Sequence, residues 1–195
     1  MTRKLASIAT VALLGAAMLS CKEINRQSAP VQLVLTTTQI LQQIDLKPGA
    51  ANCNQSIGTV KITNVLIQNT QQPPNLPTNS TLDDVLITQY RISYARTDGG
   101  TSIPAPFTRS ISLSVPLGSA GANLGTFLAF QPDALSQAPF AALLPQNGGR
   151  DPQTGRPVVQ MNIILEVFGQ TMAGERVSGS TRIPLDFCYD CAGCA

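Results

Sequence analysis

Alternation with a period of two is the feature that most narrows what this chain can fold into. Across residues 110–115 it reads Ser-Ile-Ser-Leu-Ser-Val, so an extended backbone puts Ile111, Leu113 and Val115 on one face and three hydroxyls on the other. Further on, Val159, Met161, Ile163, Leu165 and Val167 alternate with a set that includes Gln160, Asn162 and Glu166. Val177, Ile183, Leu185 and Phe187 form a third apolar set, with Arg182 and Asp186 opposite. A helical period of 3.6 would scatter these side chains around an axis instead of gathering them on one face. Leu86, Tyr90, Ile92 and Tyr94 are expected to share a face of a further strand. Val60, Ile62, Val65 and Ile67 are expected in another strand, whose alternation slips at Asn64 as at a β-bulge. Strands over 31–38 and 126–130 complete the set.

The segments between these strands carry turn chemistry. Asp98-Gly99-Gly100 follows one strand, and Met172-Ala173-Gly174-Glu175 joins the last two as a hairpin. Residues 72–77 have polyproline character, and 146–156 read as a glycine-containing loop. Only 133–144 reads as a helix, capped by Asp133 or Ser136, with Leu135, Phe140 and Leu143 facing inward. About seven to nine short strands with regular turns point to an all-β antiparallel sandwich. The final hairpin, ending in a strand with Phe187, resembles the last two strands of immunoglobulin-like and fibronectin-type-III-like domains. That resemblance implies an immunoglobulin-like sandwich with one short helix. It is one of pattern, because the chain has no Trp and no cysteine pair at the inter-sheet spacing. A partly open β-barrel is the alternative. With no internal repeat, residues 31–195 are expected to form a single domain.

The N-terminus has a different character. Arg3 and Lys4 precede an apolar stretch over 5–19 that is broken only by Ser7 and Thr10, and the segment closes on Met18-Leu19-Ser20-Cys21. A basic start, an apolar centre too short for a membrane span of ~20 residues and a small-residue end describe an export signal. Its ending resembles the lipobox of bacterial lipoproteins, with Met18 and Leu19 where that family prefers Leu and a small residue. The resemblance implies removal of residues 1–20 and acylation of Cys21. Two or three acyl chains hold firmly, since each buried methylene adds ~0.8 kcal/mol. Lys22, in place of Asp, implies the outer membrane by the same family's sorting rule. The alternative is an ordinary signal cut near Ala17 or Ser20, leaving Cys21 as a free or paired thiol. Residues 22–30 form a polar tether that reaches roughly 30 Å when extended, so the domain is expected close to the membrane.

Cys53, Cys188, Cys191 and Cys194 remain. An even set in an exported chain implies disulfides. The expectation is one bond from Cys53 to the tail and one within the tail. The competing reading is metal or thiol redox chemistry, with Cys188-x-x-Cys191-x-x-Cys194 resembling part of an iron–sulfur or zinc site that Cys53 would complete. A redox thiol prefers a helix N-terminus, and this tail follows a strand.

Catalytic signals are sparse. The chain contains no His, which excludes Ser-His-Asp and Cys-His catalysis and any His-ligated zinc. Adjacent Asp83 and Asp84 point to opposite faces of a strand and form no dyad. Gly148-Gly149-Arg150-Asp151 lacks the Lys and hydroxyl residue of a phosphate loop. Glu166 is expected to be a solvated carboxylate, and Tyr90 and Tyr94 core residues rather than a stacking platform. Asn54-Gln55-Ser56 and Asn79-Ser80-Thr81 match glycosylation acceptors but read as polar loops in a bacterial lipoprotein. The net charge of +2 falls near zero without Arg3 and Lys4, and no basic stripe exists, so no nucleic-acid partner is expected. No cofactor and no enzymatic activity are expected. The leading expectation is an envelope lipoprotein, held by its lipid anchor, with a structural or protein-interaction role. A glycan- or small-ligand-binding module using the long loops is the second, and a metal or redox protein the third.

Overall fold

A computed structural model describes residues 31–37, 43–47, 61–62, 65–71, 81–125 and 127–191. Among these residues ten strands follow one another: β1 (Val31–Thr37), β2 (Gln43–Asp45), β3 (Lys61–Ile62), β4 (Val65–Gln71), β5 (Val85–Arg96), β6 (Phe107–Val115), β7 (Ala122–Asn123), β8 (Phe127–Leu128), β9 (Val158–Thr171) and β10 (Arg176–Cys188). The fold is all-β. A five-stranded sheet runs β2-β10-β9-β5-β6, a three-stranded sheet runs β1-β4-β7, and β3 pairs with β8. The larger sheet is mixed and curls into half a barrel. Its central run is β10-β9-β5, with the chain's last hairpin inside the sheet.

The last hairpin is the longest element, and its pattern explains why. All five of Val159, Met161, Ile163, Leu165 and Val167 are buried, as are Val177, Ile183, Leu185 and Phe187. Each such side chain contributes about 1.5–3 kcal/mol when taken fully out of water. Pairing is continuous from Arg176 opposite Gln170 to Cys188 opposite Val158, because a slip by one residue would turn every one of them toward solvent. Gly174 takes a φ of 89°, which closes a three-residue loop between the Thr171 and Glu175 hydrogen-bonding partners.

The two sheets meet where β1 passes over β10. Leu33 and Leu35 of β1 are buried there, and Gly179 of β10 makes the approach possible. A Cβ at Gly179 would come within 2.8 Å of the Leu33 carbonyl oxygen and 2.7 Å of Leu35 Cδ1. On the far side of the core, the rings of Phe130, Phe140 and Phe187 cluster, with centroids 4.7–6.1 Å apart.

Four local expectations are corrected. Leu86 does not share a face with Tyr90; it is half-buried, while Val85 and Ile87 join Tyr90, Ile92 and Tyr94 in the core. A bulge between Ile87 and Gln89 inserts Thr88 opposite β9 and reverses the parity of the strand. Val60 and the slip expected at Asn64 lie outside the described residues, and the described parts of that strand belong to two strands. Ile62 ends β3, which pairs with β8, and Val65 begins β4, which pairs with β1. The expected helix over 133–144 is two separate 3-10 turns, Pro132–Ser136 and Phe140–Leu143, and a third, Pro145–Asn147, follows it. Pro139 lacks the N–H that a continuous helix requires, and neither Asp133 nor Ser136 caps it with its side chain. Phe140 and Leu143 nonetheless face inward, with Leu135 packed against the core. Finally, of the strand expected over 126–130, Phe127–Leu128 is strand and Ala129 and Phe130 are a bend, while Thr126 lies outside the described residues.

Candidate functional site

Three places gather polar chemistry among the described residues. The first is a buried ionic clasp between two loops. Arg96, at the end of β5, donates from Nε to Asp98 Oδ1 at 2.7 Å and from Nη2 to Asp98 Oδ2 at 2.8 Å. The same Nη2 reaches Asp151 Oδ2 at 2.8 Å, and Nη1 donates to the Ser102 carbonyl at 3.2 Å. All three charged side chains are at most 2% exposed. Such burial demands full hydrogen bonding, and the loops supply it. Asp98 also accepts the backbone N–H groups of Gly100 and Gln160 at 3.1 and 3.0 Å. Asp151 accepts the N–H and hydroxyl of Thr154. Gln153 Oε1 accepts the N–H groups of Thr101 and Ser102 and completes the join. Burial pushes the Asp98 carboxyl up, but the Arg96 hydrogen bonds, the two backbone donors and the guanidinium charge outweigh it and hold the group well below the usual carboxylate range. Asp151 is held down in the same way, by Arg96 and Thr154 against its own burial. The sequence marks this clasp only by Arg96-x-Asp98-Gly-Gly; its partner Asp151 lies 55 residues on from Arg96.

The second place is the C-terminal end of β10. Cys188 and Cys191 are joined by a disulfide, with Cα atoms 5.9 Å apart, which is the expected bond within the tail. The turn it closes is tied to β2, which pairs in parallel with β10. Asp45 Oδ1 accepts the N–H groups of Lys47 and Asp190 at 2.8 and 2.9 Å. Leu46 N–H donates to the Cys188 carbonyl at 2.8 Å, and Gln43 Nε2 to Cys188 Sγ at 3.0 Å. Lys47 and Asp190 add an exposed ion pair. Cys21, Cys53 and Cys194 lie outside the described residues, and so does the long bond expected from Cys53. A disulfide sulfur is not a thiolate, so the bonded state withholds two of the four ligands a thiolate metal site would need. Among the described residues, no group of three or more His, Cys, Asp or Glu side chains is placed to hold a metal ion.

The remaining sequence candidates have structural tasks. Tyr94 is buried and donates its hydroxyl to the Ala129 carbonyl at 2.8 Å; burial pushes its phenol up. Tyr90 is buried edge-on against Phe127, and burial raises its phenol too. Asp84 Oδ1 accepts the Leu117 N–H, and the Asp83 carbonyl accepts from Asn69 Nδ2. Glu166 lies 3.9 Å from Arg91 on the outer face of the larger sheet.

The third place was not marked by any motif. Where the bulge at Thr88 distorts the larger sheet, a groove of 410 Å³ opens across β5, β9 and β10. Register sets its lining in two rows. Gln89, Phe168 and Ser178 stand side by side on the three strands, and Gln170 and Arg176 stand side by side in the next row. Gly169 lies between the rows, where a Cβ would strike the Leu86 carbonyl oxygen, so only glycine lets β9 follow the bulged strand this closely. Gln89, Gln170, Arg176 and Ser178 are exposed, and Phe168 is half-buried. Their side chains have no hydrogen-bond or ion-pair partner among the described residues. A bulge becomes visible as a groove only when both neighbouring strands are in place, which is why alternation within one strand did not disclose it.

No protein-family description, no curated protein and no solved structure matches this chain.

Proposed function

We propose that this chain is a non-enzymatic lipoprotein of the bacterial envelope, held at the outer membrane by an acylated Cys21, whose β-domain serves a structural or protein-interaction role. The observation that carries the reading is the N-terminal segment, in which Arg3 and Lys4, the apolar stretch over 5–19 and Cys21 follow in the order of a lipoprotein signal. The Cys188–Cys191 disulfide supports it, since such bonds persist in the oxidising compartments to which a signal leads. Support for an interaction role comes from the sheet edge. β6 ends the five-stranded sheet, runs for nine residues and turns Ser110, Ser112 and Ser114 to solvent. Among the described residues it pairs with no strand on its outer side, and an edge of that length accepts an added strand through backbone hydrogen bonds. The opposite edge, β2, has three residues and is tied down by the tail. Among the described residues the buried acidic and basic side chains of the clasp bind one another, which is the pattern of scaffold ions and not of a general acid or base.

The test is metabolic labelling with radioactive palmitate in a bacterial host, comparing the full chain with Cys21→Ser. The expected result is a labelled wild-type protein in the membrane fraction and an unlabelled variant released from it. An unlabelled wild-type protein, or one that keeps residues 1–20, overturns the proposal.

A further inference from the structure

We infer that the groove at the β5 bulge is a binding site for an acidic sugar residue, a uronic acid at the end of a glycan. The inference stands apart from the lipid anchor and uses a different part of the molecule. The groove's volume, 410 Å³, falls at the small end of ligand pockets, ~300–1,000 Å³, and suits a ligand of about one or two rings.

The chemistry of the lining selects the class. Arg176 supplies one guanidinium with no ion-pair partner among the described residues, and no residue lining the groove is acidic. A lone guanidinium calls for a carboxylate, which its planar fork binds through two parallel hydrogen bonds. Gln89, Gln170 and Ser178 surround it with amide and hydroxyl groups that both donate and accept, as sugar hydroxyls also do. Phe168, flanked by Gln89 and Ser178, offers a half-buried apolar ring for the C–H face of a pyranose. A simple anion would use Arg176 alone and leave the other groups idle. A free amino acid would bring an ammonium group, for which the lining has no carboxylate. A lipid chain would need an apolar trough, and the exposed side chains here are amides, hydroxyls and a cation.

Arg176 and Gln170 are exposed at the turn end of the hairpin, so their substitution leaves the buried core intact. Isothermal titration of the full chain with digalacturonate, with its uncharged counterpart galactobiose and with sodium acetate separates the outcomes. Digalacturonate is expected to bind about tenfold or more tightly than either of the other two. Arg176→Ala is expected to remove that margin, Arg176→Lys to keep part of it, and Gln170→Ala to weaken digalacturonate without affecting acetate. Circular dichroism checks that each variant is folded. Absence of digalacturonate binding at millimolar concentration overturns the inference. So does acetate binding as tightly as digalacturonate, galactobiose binding as tightly as digalacturonate, or a folded Arg176→Ala protein with undiminished affinity.

Discussion

Asp98→Asn keeps the outline of a side chain and removes its charge, and the clasp gives the consequence a size. The Asp98 carboxylate accepts four hydrogen bonds, two from Arg96 and one each from the N–H groups of Gly100 and Gln160. An asparagine has one oxygen to accept them, and its NH₂ would face donors. Arg96, 2% exposed, would keep Asp151 as its only charged partner in the clasp. Breaking a buried pair from one side costs about 3–5 kcal/mol, a large share of the ~5–15 kcal/mol that holds a domain together. Urea unfolding followed by circular dichroism measures this without a tryptophan, which the chain lacks. The acid limb gives an independent check with a definite sign. Folding holds Asp98 and Asp151 below their ordinary range, so their contribution is complete above the unfolded value of about 3.9. It is lost as pH falls from there through the folded values, and the Asp98→Asn protein is expected to show a shallower acid loss than wild type. Replacing all three members by apolar residues is not expected to rescue stability, although buried ion pairs often tolerate it. It would orphan the Gly100, Gln160 and Thr154 N–H groups at about 1–3 kcal/mol each. A loss below about 1 kcal/mol in Asp98→Asn with an unchanged acid limb would refute the claim that this clasp locks the two loops.

Two further outcomes follow from close contacts. Gly179→Val is expected to destabilise by about 1–3 kcal/mol, even though valine is the better strand former, because its side chain would push β1 off β10; faster hydrogen exchange confined to β1 would show the separation, and a stabilised variant would count against the sheet contact. Reduction of Cys188–Cys191 opens no long loop, so the chain-entropy argument limits its effect to about 2 kcal/mol; the exchange of the Leu46 amide, bonded to the Cys188 carbonyl, is expected to quicken first.

Much of the fold was legible in the residues themselves. Burial on one face leaves its mark on every second residue, so β6, β9 and β10 and their inward sets could be read directly, as could the hairpin turn at Gly174. The strand with Tyr90 and Tyr94 was legible, but its parity was not, because the inserted Thr88 is defined only against the register of β9. Sequence periodicity also placed Phe140 and Leu143 inward, while missing that Pro139 would divide the helix into two short turns.

What the sequence determined by itself was local: strands where apolar residues alternate, turns where Gly and Asp cluster, and the short-range disulfide that three close cysteines invite. What only the tertiary structure decided was everything that joins distant segments. The parallel seating of β2 on β10, the crossing of β1 over Gly179, the meeting of Arg96 with Asp151 and the groove beside Arg176 each depend on partners that no spacing along the chain reveals. The physical reason is that a periodicity records which face of a segment avoids water, whereas a contact between two loops depends on how whole sheets are ordered and brought together.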